Sequence, residues 1–296
     1  MLGPTASGKS SVAMTVAEQL GDVELVSVDS MQVYRGMDIG TAKPTSAELA
    51  RVPHHLIDLV DASDDFSVAE FQREYGSVLD DLAARGRRAL LVGGTGLYHR
   101  VVIDGLEIPG EWPEIRNRLE TEAAEVGADA LHTRLLVIDP DAAAKMEPSN
   151  TRRIVRALEV WEGSGRRFSS YGPGLDTYPP SSVTQICLRW DRAVLTERIE
   201  RRVHLMIEQG LVAEVAGLVE HGFSRTAAQA LGYKEILAHL RGEMSLDETV
   251  ALVIVRTRQF AVRQERWFRR DPRIRWVDVD HDPVAEAVPI VLDALA

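Results

Sequence analysis

Residues 3 to 10, Gly-Pro-Thr-Ala-Ser-Gly-Lys-Ser, have the composition and spacing of a phosphate cradle. Gly3 and Gly8 let successive backbone N–H groups turn inward around phosphate oxygens, and a helix that follows aims its positive end at them. Pro4, Thr5, Ala6 and Ser7 complete the loop, Lys9 adds a charge, and the Ser10 hydroxyl is a ligand for Mg²⁺. The same pattern serves ATP-binding enzymes, so the identity of the phosphate has to come from the rest of the chain. An ATP-hydrolysing enzyme should also show an apolar strand ending in a metal-binding aspartate. "VELVSVD" does end in Asp29, but "DSMQVYRGMDIGTAKP" offers no purine pocket after it. "ALLVGG" ends in glycine, and "CLRWD", ending at Asp191, is the weaker candidate. The loop is therefore open to a diphosphate that is not part of a nucleotide.

Elements able to position such a loop are legible around it. Val12, Val16 and Leu20 recur at helical spacing in "KSSVAMTVAEQL", predicting a helix that ends at Gly21. "VELVSVD" and "RRALLVGGTG" are short apolar runs bounded by turn residues, the mark of buried parallel strands. Between them a helix is predicted from a Ser67–Glu70 capping box. Strand, helix and strand in alternation predict an α/β fold with a parallel sheet flanked by helices, of the P-loop NTPase type. From about Pro109 to Pro180 the patterning is helical, with breaks at Pro140 and Pro148, predicting an inserted helical domain over 109–180. The catalytic core is then discontinuous, 1–108 and 181–296, with "TQICLRWD" returning as a strand before long helices. Only Met1-Leu2 precede the loop, so its carrier strand is either nearly absent or begins upstream of this chain.

Bulk properties narrow the function classes. A chain of 296 residues with 45% hydrophobic and 27% charged residues has an ordinary globular composition. No apolar run approaches the roughly 18 residues that span a bilayer, and no basic-then-apolar leader precedes the loop; the expectation is a cytoplasmic protein with no membrane partner. Cys187 is the one cysteine, which excludes internal disulfides and cysteine-cluster zinc sites and suggests a buried small hydrophobe. The net charge of −11 argues against nucleic acid as a partner. Its distribution argues the other way. Lys9, Lys43, Lys145 and Lys234 are the only lysines, and arginines crowd 151–167 and 256–275. The local pattern carries more weight.

Taken in order, "GPTASGKS", "DSMQVYRGMDIGTAKP", "PHHLID", "GGTGLY", "NTRRIVRALEV", "QALGYKE" and "RTRQFAVRQERWFR" resemble the bacterial tRNA dimethylallyltransferases, also called tRNA isopentenyltransferases. The match covers essentially the whole chain. It implies transfer of a dimethylallyl group from dimethylallyl diphosphate to the N6 amine of adenosine 37 in tRNA, with Mg²⁺ as cofactor. It also implies a monomer whose helical insertion grips the anticodon stem-loop. The phosphate in the cradle then belongs to a departing diphosphate, which Mg²⁺, Lys9 and backbone amides would relieve of charge.

The resemblance assigns roles residue by residue. Asp29, at the end of a predicted strand where ligands gather in open α/β sheets, becomes the general base for a poorly nucleophilic amine; otherwise it is a helix-capping aspartate. Ser30, Met31 and Gln32 fall in the tRNA-contacting stretch, and the Gln32 amide suits an adenine edge. Thr95, read from sequence alone as a turn residue, becomes a site threonine facing the flipped adenosine. Arg116 falls where the family has a tRNA-contacting arginine, one residue out of the usual spacing from Thr95. Arg152, Arg153, Ile154, Val155 and Arg156 match a tRNA-contacting segment, with Arg152 in place of the expected glutamine. His54 and His55, adjacent on a strand and so on opposite faces, suit packing and hydrogen bonding better than one shared metal ion.

From "RTRQFAVRQERWFR" onward the helix after the Ser245–Glu248 capping box places Gln259, Arg263, Arg266 and Arg270 on one stripe edged by Phe260 and Trp267. Val250, Ile254, Ala261 and Phe268 lie opposite. Arg263 and Arg266 thus suit RNA phosphates or a stacked base, or else a solvated face. Arg192, Arg198 and Arg202 follow the returning strand as candidates for a diphosphate clamp. Two other function classes stay open on the sequence alone: a P-loop small-molecule or nucleotide kinase, and a non-catalytic RNA-binding module with a relict P-loop.

Overall fold

A computed structural model describes residues 1–172 and 174–295. Its elements in chain order are α1 (Lys9–Leu20), β1 (Val23–Val28), α2 (Ser46–Arg51), β2 (His54–His55), α3 (Val68–Ala84), β3 (Arg88–Gly93) and α4 (Gly96–Asp104). Next come α5 (Pro113–Val126), α6 (Ala128–Ile138), α7 (Pro140–Ala143) and α8 (Thr151–Ser164). The last part holds β4 (Gln185–Trp190), α9 (Arg192–Glu208), α10 (Leu211–Val219), α11 (Tyr233–Leu240), α12 (Leu246–Phe268), β5 (Ile274–Val279) and α13 (Pro283–Leu295). Two compact units result: Met1–Ile103 with the stretch from Pro180 onward, and Asp104–Pro179. Among the described residues no helix is long and apolar enough to cross a membrane.

In the larger unit every strand pairing is parallel. β1 lies between β2 and β3, and β4 pairs with β5. Leu2 joins the two halves, bridging Gly93 on one side and Cys187 on the other. Its N–H donates to the Ile186 carbonyl at 2.7 Å, and its own carbonyl accepts from Leu188 at 3.0 Å. Met1-Leu2 therefore runs as the central strand that leads into the P-loop. The Met1 nitrogen donates to the Leu91 carbonyl at 2.6 Å, continuing the same pairing.

All six residues of β1 are buried, as a strand covered on both faces requires. Val23 and Leu25 join one core with Val12 and Val16 of α1 and Val288 of α13. Val26 and Val28 join another with Phe71 of α3 and Val215 of α10. Glu24 shares this burial only because Arg85, Arg87 and His55 all bond its carboxylate, which they hold at about 2, far below the ordinary glutamate value. His54 bonds the Val52 carbonyl instead, so the two histidines serve the fold. Both capping boxes form, at Ser67–Glu70 and Ser245–Glu248. Cys187 is fully buried, which pushes its thiol up to about 12.

The smaller unit is helical and carries no strand among its described residues. Leu119, Leu131, Leu135, Ile154 and Leu158 form its core. Pro140 stands at the first position of α7, where a missing N–H costs nothing.

Candidate active site

The P-loop leaves the C-terminal end of the central strand, and its carbonyls are pinned outward. Trp190 Nε1 donates to the Ser7 carbonyl at 2.8 Å, and Arg198 Nε donates to the Ala6 carbonyl at 2.9 Å. The Pro4 carbonyl accepts from the Ser7 N–H and the Lys9 ammonium. Ala6 and Gly8 adopt left-handed φ values of 63° and 88°, the alternation that turns successive amides to one side. Among the described residues the N–H groups of Gly8, Lys9 and Ser10 meet no protein acceptor. Carbonyls out and amides in is an anion nest at a helix N-terminus. Gly3 packs closely against the loop, where a Cβ would stand 2.5 Å from Ser7 Oγ.

Lys9 is crowded by its own kind. Burial, reinforced by the nearby Arg202 and opposed by Asp29, lowers its ammonium to about 8. Burial likewise disfavours the Arg202 charge, which Asp29 supports. These three groups converge on one place.

Asp29 follows β1 directly, and its Oδ1 accepts from the Met31 N–H at 2.8 Å. This short turn fixes the carboxylate and leaves Oδ2 for another donor. Thr95, on the loop after β3, accepts at Oγ1 from the Ser30 N–H at 3.2 Å, and the two hydroxyls lie 3.4 Å apart. The ends of neighbouring parallel strands thus bring Asp29, Ser30 and Thr95 together. Gln32 differs from expectation. Its Oε1 accepts from Ser27 and its Nε2 donates to the Thr41 and Ala42 carbonyls, so the amide folds the loop rather than facing an adenine edge.

That loop is framed on both sides. Glu214 on α10 accepts from the N–H groups of Asp38, Ile39 and Gly40 and from Tyr233. The buried Lys43 ammonium donates to the Tyr34 carbonyl, Asp38 and Asp58. Asp58, with φ 54°, and Leu56, with φ 61°, hold a left-handed backbone that glycine would ordinarily occupy.

Of the arginines after β4, Arg198 braces the loop, Arg202 faces Lys9 and Asp29, and Arg192 is exposed. On α12 Gln259, Arg263 and Arg266 are exposed, as is Arg270 just beyond its end, with Val253, Ile254, Ala261 and Phe268 buried. Gln264 belongs to the buried side, and sequence reasoning missed it. Its Oε1 accepts from the Thr5 N–H at 2.8 Å and its Nε2 donates to the Gly94 carbonyl at 2.9 Å. Trp267 lies against Gly96, where a Cβ would come within 2.3 Å of the indole.

In the helical unit α8 presents two unlike faces. Arg152 and Arg153 are exposed in its first turn, which holds no acidic residue. The Ile154 and Val155 side chains are buried in the helical core. Arg116 and Arg156 stay partly exposed. Both guanidiniums converge on the fully buried Glu159, and their contacts lower its carboxyl below the usual glutamate value against the effect of burial.

A family model described as "IPP transferase" matches residues 32–271. The chain belongs to the IPP transferase family. A tRNA dimethylallyltransferase of Salinispora tropica is 49% identical over 99% of this chain and 92% of its own length. That of Streptomyces coelicolor is 51% identical over 94% and 88%. Among solved structures, the full-length tRNA isopentenylpyrophosphate transferase of Bacillus halodurans superposes with a TM-score of 0.72 at 39% identity, covering 99% of this chain and 93% of that one. A eukaryotic dimethylallyltransferase acting on tRNA reaches 0.80 at 26% identity, over 98% and 76%. Within an IPP transferase the α/β core with its parallel, helix-flanked sheet is the expected fold, and the kinase alternative loses its support.

Metal chemistry fits this family site in one way only. Among the described residues no three His, Cys, Asp or Glu side chains gather to hold an ion. The exposed Ser10 hydroxyl opens the helix at the mouth of the nest. One hydroxyl beside a diphosphate is the sparse donor set Mg²⁺ accepts, with water and substrate oxygens supplying the rest.

Proposed function

We propose that this protein transfers the dimethylallyl group of dimethylallyl diphosphate to the exocyclic N6 of adenosine 37 in tRNA, yielding N6-isopentenyladenosine and diphosphate. The observation that carries the reading is the outward pinning of the Ala6 and Ser7 carbonyls beside Lys9 and Asp29. An anion nest and a carboxylate meet at the end of one sheet, which suits a leaving diphosphate and an incoming amine.

Diphosphate is received by the Gly8, Lys9 and Ser10 amides, with Lys9 and Arg202 as counter-charges. The Ser10 hydroxyl, together with diphosphate oxygens, would hold Mg²⁺, which would supply further neutralisation of the charge that develops there. The N6 amine of the adenine lies within reach of Asp29, whose Oδ1 is committed to Met31 and whose Oδ2 takes the proton. The N6–C1 bond forms as C1–O breaks, and the electron pair leaves with diphosphate. Thr95, held against Ser30, closes the other side of the base.

RNA recognition falls to exposed arginines. Arg152 and Arg153 stand at the positive end of α8, where cations are disfavoured unless phosphates arrive. Arg263 and Arg266 offer a second exposed basic stripe. Incubation with labelled dimethylallyl diphosphate, Mg²⁺ and unmodified tRNA should place label on an RNA adenosine, and ATP in place of the isoprenoid should give no transfer. Unlabelled RNA would refute the proposal.

A further inference from the structure

Gln264 is a buried amide that touches two loops of the site without belonging to either. Thr5 lies in the P-loop and Gly94 immediately precedes Thr95, and the two are separated by 89 places in sequence. A single carboxamide spans them, accepting from one backbone and donating to the other. No apolar side chain makes both bonds, and an ionised Glu cannot donate to a carbonyl. Burial raises the stakes, because each backbone group would otherwise lose its partner away from water. Gly94 has the complementary shape: a Cβ there would stand 2.4 Å from Gln264 Nε2 and 3.4 Å from the Gly3 carbonyl.

From this geometry we infer that Gln264 is a positioning residue for the transfer reaction, fixing the distance between the diphosphate nest and the Thr95–Ser30–Asp29 group. The inference rests on the proposed function. Both ends of the Gln264 amide are committed to backbone, so its effect is on how nucleophile and leaving group are aligned. Misplacement by about 1 Å costs up to about a hundredfold in rate, and alignment of bound reactants appears in kcat rather than KM.

The experiment compares wild type with Gln264→Leu, Gln264→Glu, Gly94→Ala and Gly94→Ala/Gln264→Ala, using labelled dimethylallyl diphosphate and unmodified tRNA. Gln264→Leu and Gln264→Glu should lower kcat about 10- to 100-fold with both KM values within about threefold. Thermal melts show whether Gln264→Leu folds; Gln264→Glu keeps the Thr5 acceptor and reads the role if it does not. Gly94→Ala should lose at least about fivefold more than Gln264→Leu, and removing the amide from that background should relieve the clash and bring kcat back up to the level of Gln264→Leu. A kcat within twofold of wild type for Gln264→Glu, a loss confined to KM, or no restoration in the double variant would overturn the inference. A wild-type enzyme that transfers no label overturns the functional reading and this role with it, whereas active wild type with indifferent variants sinks this role alone.

Discussion

The Arg198 guanidinium lies 4.2 Å over the Trp190 ring, and each of the two side chains holds a P-loop carbonyl. Stacked together, they brace the P-loop from behind. Loss of a hydrogen bond from a charged donor costs about 1.5–3 kcal/mol. Arg198→Ala should therefore lower kcat/KM for the isoprenoid diphosphate by about 10- to 100-fold, and Trp190→Phe, which keeps the ring and loses the Ser7 bond, by a smaller factor. Filter binding of tRNA should be unchanged in both.

Lys9 gives the pH dependence. In the free enzyme burial and Arg202 lower its ammonium to about 8, so it is charged below that pH and neutral above. Diphosphate favours the charged form, so kcat/KM for the isoprenoid should fall as pH rises through about 8. The descending limb should vanish in Lys9→Met, whose residual activity is low at every pH. A profile flat to pH 10 in the wild-type enzyme would exclude the ammonium from binding.

Asp29→Asn keeps the Met31 bond, because the amide oxygen still accepts, and removes the proton acceptor. Turnover should drop by at least about a hundredfold, the low end for a general base, while the isoprenoid KM stays close to wild type. Single-turnover rates measured with RNA in excess separate the two.

Lys43 is one of only four lysines, and its surroundings explain why arginine did not replace it. A tetrahedral ammonium reaches the Tyr34 carbonyl, Asp38 and Asp58 from one point, which a planar fork cannot do. Lys43→Arg and Lys43→Met should each destabilise the fold, by about 1–3 kcal/mol in urea unfolding. Both should also lower kcat through the loop that begins at Asp29.

Much of the core was legible because its signals are local. The glycine-lysine loop, the apolar runs of β1 and β3 and the two capping boxes each sit within a few residues. What escaped depends on distant partners. β5 is an edge strand with exposed Arg275 and Asp278 alternating with buried positions, and its charge merged with the arginine-rich run of α12. β2 is two residues long and exists only through pairing with Leu25 and Val26. The fate of Arg116 and Arg156 was readable in principle from Glu159, a carboxylate four places after Val155 on the apolar side of α8. Gln264 had a similar sign, lying between Ala261 and Phe268 at the spacing of the buried stripe.

The two faces of α8 make the sharpest separation of fold from function. Ile154 is fully buried among Leu119, Leu131 and Leu158, so Ile154→Ala should cost about 2–5 kcal/mol of stability through the cavity it leaves. Arg152 and Arg153 are exposed at a helix N-terminus that disfavours their charge, so replacing both with alanine should leave stability unchanged or slightly raised. On tRNA the outcomes reverse. The double arginine variant should bind more weakly, and its slope of log affinity against log salt should shrink by about 2, one for each phosphate no longer neutralised. Ile154→Ala, assayed well below its melting temperature, should keep the wild-type slope. An unchanged salt slope in the arginine variant would remove this turn of α8 from the RNA interface, whatever its effect on turnover.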